Sequence, residues 1–245
     1  MSVVVQKYGG SSLVDAAKIK NVARRVIKAR ERGDRVVVVA SAMGDTTDGL
    51  IKLAHQITDQ PDKREMDSLL STGELVSCAL LAMALKSISY PAVSLSGAQA
   101  GIITEKTYGA ARILRVDPGR MQRELEAGHI VIVAGFQGIT DEAADVTTLG
   151  RGGSNTTAVA VAAALNAKVC EMYTDVEGVF TADPRIVPEA VKLKEIGFEE
   201  MLELATYGSN VLHNRAVELA ELYNIPILVA SSFVEAPGTL IHGGI

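Results

Sequence analysis

Histidine is scarce in this chain. His55, His129, His213 and His242 are the only four in 245 residues, and no two stand at metal-ligand spacing, so surface or core roles are expected for them. Cysteine is scarcer still: Cys78 and Cys170 lie far apart in segments with the character of buried elements, which points to a reduced, cytoplasmic setting. No Cys-His signature supplies a base that could activate either thiol. Long apolar runs are missing too, since the longest, 158–165, falls far short of the roughly 20 residues a membrane span needs. The opening MSVVVQK has no basic segment ahead of its short apolar run, which predicts no signal peptide. An excess of positive charge is also lacking. With 24 Lys and Arg against 29 Asp and Glu, the net charge is -5, which argues against nucleic acid as the main partner. The one basic cluster, Arg24, Arg25, Lys28, Arg30, Arg32 and Arg35, falls at helical spacing and reads as the solvated face of an amphipathic helix.

What remains is a composition that can build a full core: 48% hydrophobic and 22% charged. The length suits one large α/β domain or two intimately packed lobes. No repeat and no low-complexity linker interrupts it. The runs SVVVQ, RVVVVAS, AVSLS, HIVIVAG, KVCEMYT and IPILVAS are apolar, β-branched and bounded by turn residues, the signature of buried parallel strands. Helical patterns over 15–29, 48–59, 67–87, 118–127, 154–166, 198–205 and 210–223 alternate with them. This alternation predicts βαβ units and a mainly parallel sheet covered on both faces. Segments 101–115 and 138–149 fit less well and read as short hairpins or mobile loops.

In such folds ligands bind beyond the carboxyl ends of the strands. The polar, glycine-bearing segments do follow strands: KYGGSS, SAMGDTT, GFQG leading to TTLGRGGSN, and TDVEGVFTADPR. Two common phosphate motifs are absent. GDTTDGLI has the glycine spacing of a P-loop without the following Lys-Ser/Thr, and GRGGSN lacks the third glycine of the dinucleotide fingerprint. A dehydrogenase or a Walker-type ATPase is disfavoured. In KYGGSS the glycines let backbone N–H groups approach an anion, the next helix adds its dipole, and Lys7 can neutralise a transferring phosphoryl group. A tight turn beside a surface lysine is the competing reading. TDVEGVFTADPR offers Asp175, Asp183, a platform at Phe180 and a phosphate partner at Arg185, or else an ordinary turn opened by Asp183-Pro184. Glu74 in LLSTGELVS is either a carboxylate aimed at a cationic ligand or a first-turn acid behind a cap at Ser71 or Thr72.

Taken in order, KYGGSSL, SAMGDTTDGLI, GFQG, TTLGRGGSNTTA, YTDVEGVFTADPR, VLHNRAVELA and SSF…GTLI resemble the aspartate kinase catalytic domain of the amino-acid kinase superfamily over essentially the whole chain. The resemblance implies a three-layer αβα sandwich around a central, mostly parallel sheet of about eight strands. It implies one catalytic domain over 1–245, with aspartate held by about 1–150 and ATP by about 151–245. The reaction implied is ATP-dependent phosphorylation of the β-carboxylate of L-aspartate to 4-phospho-L-aspartate, the first step towards lysine, threonine, methionine and diaminopimelate. Mg²⁺ would arrive on ATP, with no metal held by protein side chains alone. A cytoplasmic homo-oligomer, a dimer or larger, is implied, with no membrane partner.

Residue by residue, Lys7, Gly9 and Gly10 would stabilise the transferring group, with Asp175 organising the lysine or a magnesium-bound group. Ser41, Thr47, Glu74 and Phe136 would form the aspartate pocket, Glu74 facing the amino group. Arg151 would clamp the α-carboxylate within Gly152, Gly153, Ser154 and Asn155. Tyr8, Ser11, Thr174, Phe180, Arg185, Ser209 and Asn210 would join Lys7, the two glycines and Asp175 around the nucleotide. Three departures stand out: Asn155 where the family has Asp in GRGGSD, Asn210 where many members have Lys, and an end at GTLIHGGI, about where regulatory ACT domains would begin. Asn155 reads also as a helix N-cap. Two alternatives stay open at this point: a relative acting on glutamate, N-acetylglutamate, carbamate or UMP, and a kinase-fold binding or regulatory protein with little turnover, which the Asn155 amide raises.

Overall fold

Valine dominates the centre of the molecule because it fits a sheet buried on both faces. The structure, a computed structural model, describes residues 2–208 and 211–244. Strands β1 (Val3–Tyr8), β2 (Arg35–Ala40), β3 (Ala92–Leu95), β6 (Ile130–Ala134), β9 (Val169–Thr174), β10 (Glu195–Gly197), β11 (Ile227–Ser231) and β12 (Thr239–His242) form one eight-stranded sheet in the order β10-β12-β11-β9-β1-β2-β6-β3. Every neighbouring pair is parallel except β11 with β12. The six expected strands are all present. The strand order reverses around β1, which lies between β2 and β9, and this is where a doubly wound sheet opens a crevice at its carboxyl edge.

Alternation along the strands divides the core into two layers. Val3 and Val5 of β1, with Val37, Val39, Val131, Val133, Cys170 and Met172, face helices α4 (Gly119–Glu126), α5 (Gly153–Ala164), α6 (Phe198–Thr206) and α7 (Asn214–Leu222). Tyr8, Val36, Val38, Ala40, Ile130 and Ile132 face α1 (Ala16–Glu31) and α3 (Lys63–Lys86). Each of the four consecutive valines of β2 is at most 1% exposed, worth about 1.5–3 kcal/mol apiece on burial. Helix α5 is apolar almost all round because it is packed on the sheet and against α7.

A second, four-stranded sheet, β5-β4-β7-β8, accounts for the two segments that fitted least well in sequence. β4 (Ile102–Thr104) pairs antiparallel with β5 (Ile113–Val116), and β7 (Gln137–Thr140) pairs antiparallel with β8 (Val146–Thr148). Both are hairpins, joined by a parallel β4–β7 pairing. Helix α3 differs from expectation at its start: it begins at Lys63, where Asp62 accepts hydrogen bonds from the Arg64 and Glu65 amides. By length and composition α3 could cross a membrane, yet half of its most apolar window is buried, as in a core helix. The last helix, expected from 210, begins at Asn214.

Candidate active site

The carboxyl end of β1 builds the first wall of the site. After Tyr8 the chain makes a 3-10 turn at Gly10–Ser12, with the Ser12 and Leu13 amides donating to the Gly9 and Gly10 carbonyls. Gly10 admits no side chain: a Cβ there would lie 2.8 Å from the Ala42 carbonyl oxygen, because the loop after β2 crosses directly over it. The Gly44 amide donates to the Gly10 carbonyl across that crossing. Lys7 is half-buried on the face opposite α1, and its Nζ hangs over the turn, 3.5 Å from where a Gly9 Cβ would be. Burial pulls the Lys7 ammonium down to about 8, while Cys170 and Asp175 act in the opposite direction. The surface-lysine reading of Lys7 does not fit this placement.

Tyr8 points the other way. Its ring is fully buried, stacked on Tyr173 at 4.9 Å between centroids, and its hydroxyl donates to Gln6 Oε1 at 3.2 Å. Only its main chain can face a nucleotide. Ser11 is exposed beside the turn.

Helix α3 supplies the floor. Because it starts at Lys63, Glu74 lies in its fourth turn and not in its first, which corrects the capping alternative at Ser71 and Thr72. Both of those hydroxyls bond back to carbonyls one turn earlier. Glu74 is 3% exposed. Its Oε1 accepts from the Ala42 amide at 3.1 Å, and its Oε2 is buried without a partner among the described residues. Burial pushes the Glu74 carboxyl up to about 7, against its backbone hydrogen bonds. Gly73 makes this approach possible, since a Cβ there would meet the Ala42 Cβ at 2.9 Å.

The third wall is the turn from β8 into α5. Gly152 caps α5 in the left-handed region (φ 74°), and a Cβ on it would lie only 2.6 Å from the His213 side chain. Asn155 is therefore within the first turn of α5, its amide donating to the Gly152 carbonyl; it is not the N-cap. Arg151 is exposed and makes no side-chain hydrogen bond or ion pair among the described residues. Ser154 Oγ lies close to the Gly135 backbone at the end of β6. Phe136, also left-handed at φ 69°, is held there by its amide donating to Thr157 Oγ1 (3.1 Å) and its carbonyl accepting from the Leu149 amide (2.9 Å). Such a conformation costs of order 1–3 kcal/mol and sets the ring edge against Gly153.

These walls enclose a cleft of about 860 Å³. It brings together Lys7, Gly10, Ser41, Thr47, Glu74 and Phe136 with the whole stretch Arg151–Asn155. Gly9, Ser11, Thr174, Asp175, Phe180 and Arg185 lie outside it. Of the last four, Thr174 ends β9 and the other three belong to the segment that leaves it. Thr174 Oγ1 donates to Asp175 Oδ1, and Asp175 is within electrostatic reach of both Lys7 and Arg185. Arg185 is 88% exposed along its side chain and is held by Asp183 through two guanidinium hydrogen bonds, which lower the Asp183 carboxyl to about 2. Phe180 is half-buried and pairs its backbone with Lys192. Ser209 and Asn210 lie outside the described residues.

Sequence reasoning missed the far wall: Tyr108, Gly109 and Ala110 from the β4–β5 hairpin, and Asp67 and Met66 from α3. A signal for Asp67 existed. It stands seven residues before Glu74, on the same face of one apolar helix, where a carboxylate needs a reason to be buried.

The sequence profile described as the amino acid kinase family matches residues 2–231. The aspartokinase of Mycolicibacterium smegmatis is 58% identical over 245 residues, covering 100% of this chain and 58% of that protein. The crystal structure of aspartate kinase from Synechocystis aligns with a TM-score of 0.88 at 51% identity, over 99% of this chain and 40% of that one. E. coli aspartokinase III, crystallised with aspartate and ADP in its R-state, gives a TM-score of 0.88 at 29% identity, over 99% of this chain and 65% of that one. The chain thus spans little more than half the length of the curated relatives it matches.

Proposed function

Given that the chain belongs to the amino acid kinase family, we propose that it is the catalytic part of an aspartate kinase, moving the γ-phosphoryl group of MgATP onto the β-carboxylate of L-aspartate. One observation carries this reading. Among the described residues, a buried carboxylate with a free oxygen, Glu74, shares a cleft with an unpaired guanidinium, Arg151, and an ammonium, Lys7. An α-amino acid with an acidic side chain supplies the three complementary charges: its ammonium to Glu74, its α-carboxylate to the planar fork of Arg151, its side-chain carboxylate towards Lys7. UMP, carbamate and N-acylated acceptors have no ammonium for Glu74. The names of the similar proteins, and the aspartate and ADP held by the E. coli neighbour, support the same choice.

In this reading residues of about 1–150, completed by the Arg151–Asn155 turn, hold aspartate, and the remainder of about 151–245 holds ATP. An oxygen of the β-carboxylate attacks the γ-phosphorus, the bond from phosphorus to the β,γ-bridging oxygen breaks, and ADP leaves with the electron pair. The nucleophile is already ionised, so no general base is required. Catalysis consists of positioning and charge neutralisation, by Lys7 and the amides of the Gly9-Gly10 turn. Thr174, Asp175, Phe180 and Arg185 serve the nucleotide, with Mg²⁺ as part of that substrate. The buried, unpaired cysteines support a reducing, cytoplasmic setting. Leu75, Val76, Leu80 and Met83, exposed along one side of α3, support a homo-oligomer.

An assay coupling ADP release to this chain, run across aspartate, glutamate, N-acetylglutamate, carbamate and UMP, tests the reading. Turnover only with an acceptor other than aspartate would sink it. A second reading, a binding or regulatory protein, rests on Asn155, whose amide gives a weaker acceptor than a carboxylate. Calorimetric binding of ATP and aspartate with no phosphoryl transfer would favour it.

A further inference from the structure

Asp67 is a buried carboxylate for which the proposed reaction has no use. It is 1% exposed on the cleft side of α3, and both its oxygens are engaged. Oδ2 accepts from the Gly109 amide (2.9 Å) and the Thr148 amide (2.9 Å), and Oδ1 accepts from Thr148 Oγ1 at 2.7 Å. No cation pairs with it among the described residues, so three neutral donors carry the whole cost of its burial. A residue that merely filled space here would be apolar.

The two segments that Asp67 ties together converge on the turn bearing Arg151. Thr148 ends β8, three residues before Arg151, and its carbonyl accepts from the Ala111 amide at 2.9 Å. The next residue, Leu149, is fastened to Phe136 through its amide and to Arg215 through its carbonyl. Gly150 follows in a left-handed conformation, and the Gly109 carbonyl lies 3.1 Å from where its Cβ would be. One carboxylate therefore sets both the start of the turn and the loop that presses on it.

We infer that Asp67 is a positioning residue. It presets the Gly150–Gly153 turn so that Arg151 meets the acceptor's carboxylate without reorganisation, although Asp67 itself touches no substrate. This rests on the acceptor-site reading given above. The cost of losing it falls on the acceptor and spares the nucleotide, because the turn after β1 and the segment after β9 make no hydrogen bond to Asp67, Gly109 or Thr148.

Three variants test it: Asp67→Ala, Asp67→Asn and Thr148→Val. Misplacing a binding group by about 1 Å can cost up to roughly 100-fold, so Asp67→Ala should raise KM for aspartate at least about tenfold. KM for ATP should stay within about twofold. Asp67→Asn should recover most of the loss, since its carbonyl accepts both amides and its NH₂ donates to a rotated Thr148 hydroxyl. Thr148→Val deletes one donor and should fall between, which serves if Asp67→Ala fails to fold. In an Arg151→Ala background, Asp67→Ala should add less than about threefold, because coupled sites are not additive. Amide exchange followed by mass spectrometry, with no substrate present, should rise at residues 107–111 and 148–153 in Asp67→Ala and not in Asp67→Asn. Unchanged exchange there, equal increases in both KM values, or full additivity with Arg151→Ala overturns the inference. If Arg151→Ala alone leaves KM for aspartate unchanged, the acceptor reading is what fails, and the exchange data decide Asp67 by themselves.

Discussion

The protonation of Glu74 should control aspartate binding. Burial raises its carboxyl to about 7 from an ordinary 4.5, with Oε2 left unpartnered. A group whose folded value lies above its unfolded one stabilises the fold at low pH, and the contribution is lost as pH rises through the folded value. Here the window runs from about 4.5 to about 7, and the shift amounts to at most about 3 kcal/mol of stability lost across it. An arriving ammonium needs the ionised form. For a group titrating at about 7, roughly 3% is ionised near pH 5.5 and roughly 90% near pH 8, so aspartate affinity should rise about 30-fold over that range. Binding near pH 6 should release close to one proton from Glu74. Glu74→Gln keeps the acceptor for the Ala42 amide but cannot ionise. It should bind aspartate about 10- to 150-fold more weakly than the parent near pH 8, the value of a hydrogen bond to a charged group, and nearly as well near pH 5.5. Isothermal titration calorimetry in buffers of different ionisation enthalpy counts the protons directly, and thermal melts across the same range read the stability slope. Equal proton release in parent and variant, or a pH-independent gap between them, would refute the reasoning.

Three further outcomes follow from the same geometry. Lys7→Ala should nearly abolish turnover while leaving the thermal midpoint within a few degrees, because removing a half-buried cation lowered to about 8 costs the fold little; retained turnover would take Lys7 out of the chemistry. Asn155→Asp should raise kcat/KM for aspartate by up to roughly 10- to 150-fold if the side chain meets the amino group, and an unchanged kcat/KM would show that it does not. Gly10→Ala should damage both stability and KM for ATP, because its Cβ would meet the Ala42 carbonyl oxygen at 2.8 Å and one of the two backbone segments must shift; a variant with the parent's melting temperature and ATP kinetics would contradict that crossing.

Much of the site could be read from local pattern, and the part that could not has a common cause. KYGGSS and GRGGSN declare themselves because a turn that brings backbone amides to an anion needs glycine at fixed places, and Gly10 and Gly152 occupy such places. Tyr8 misled because strand alternation sends neighbouring side chains to opposite faces: Lys7 reaches the cleft and Tyr8 stacks on Tyr173 beneath α1. Asn155 looked like a cap because Asn is a good one, but a left-handed Gly152 had already taken that position. The first turn of α3 was missed because 63–66, KREM, carries little apolar periodicity; its start depends on the Asp62 cap.

The sequence by itself determined the alternation of strands and helices, the parallel sheet, the glycine turns and the family, since each depends on residues near one another in the chain. Only the tertiary structure decided which carboxylates matter. Glu74 keeps one oxygen without a partner among the described residues, and Asp67 is fully satisfied, because of what α3 packs against, the Ala42 loop at one point and the Gly109–Thr148 contact at the other. These partners lie 32 to 81 residues away, and no periodicity within one helix records them.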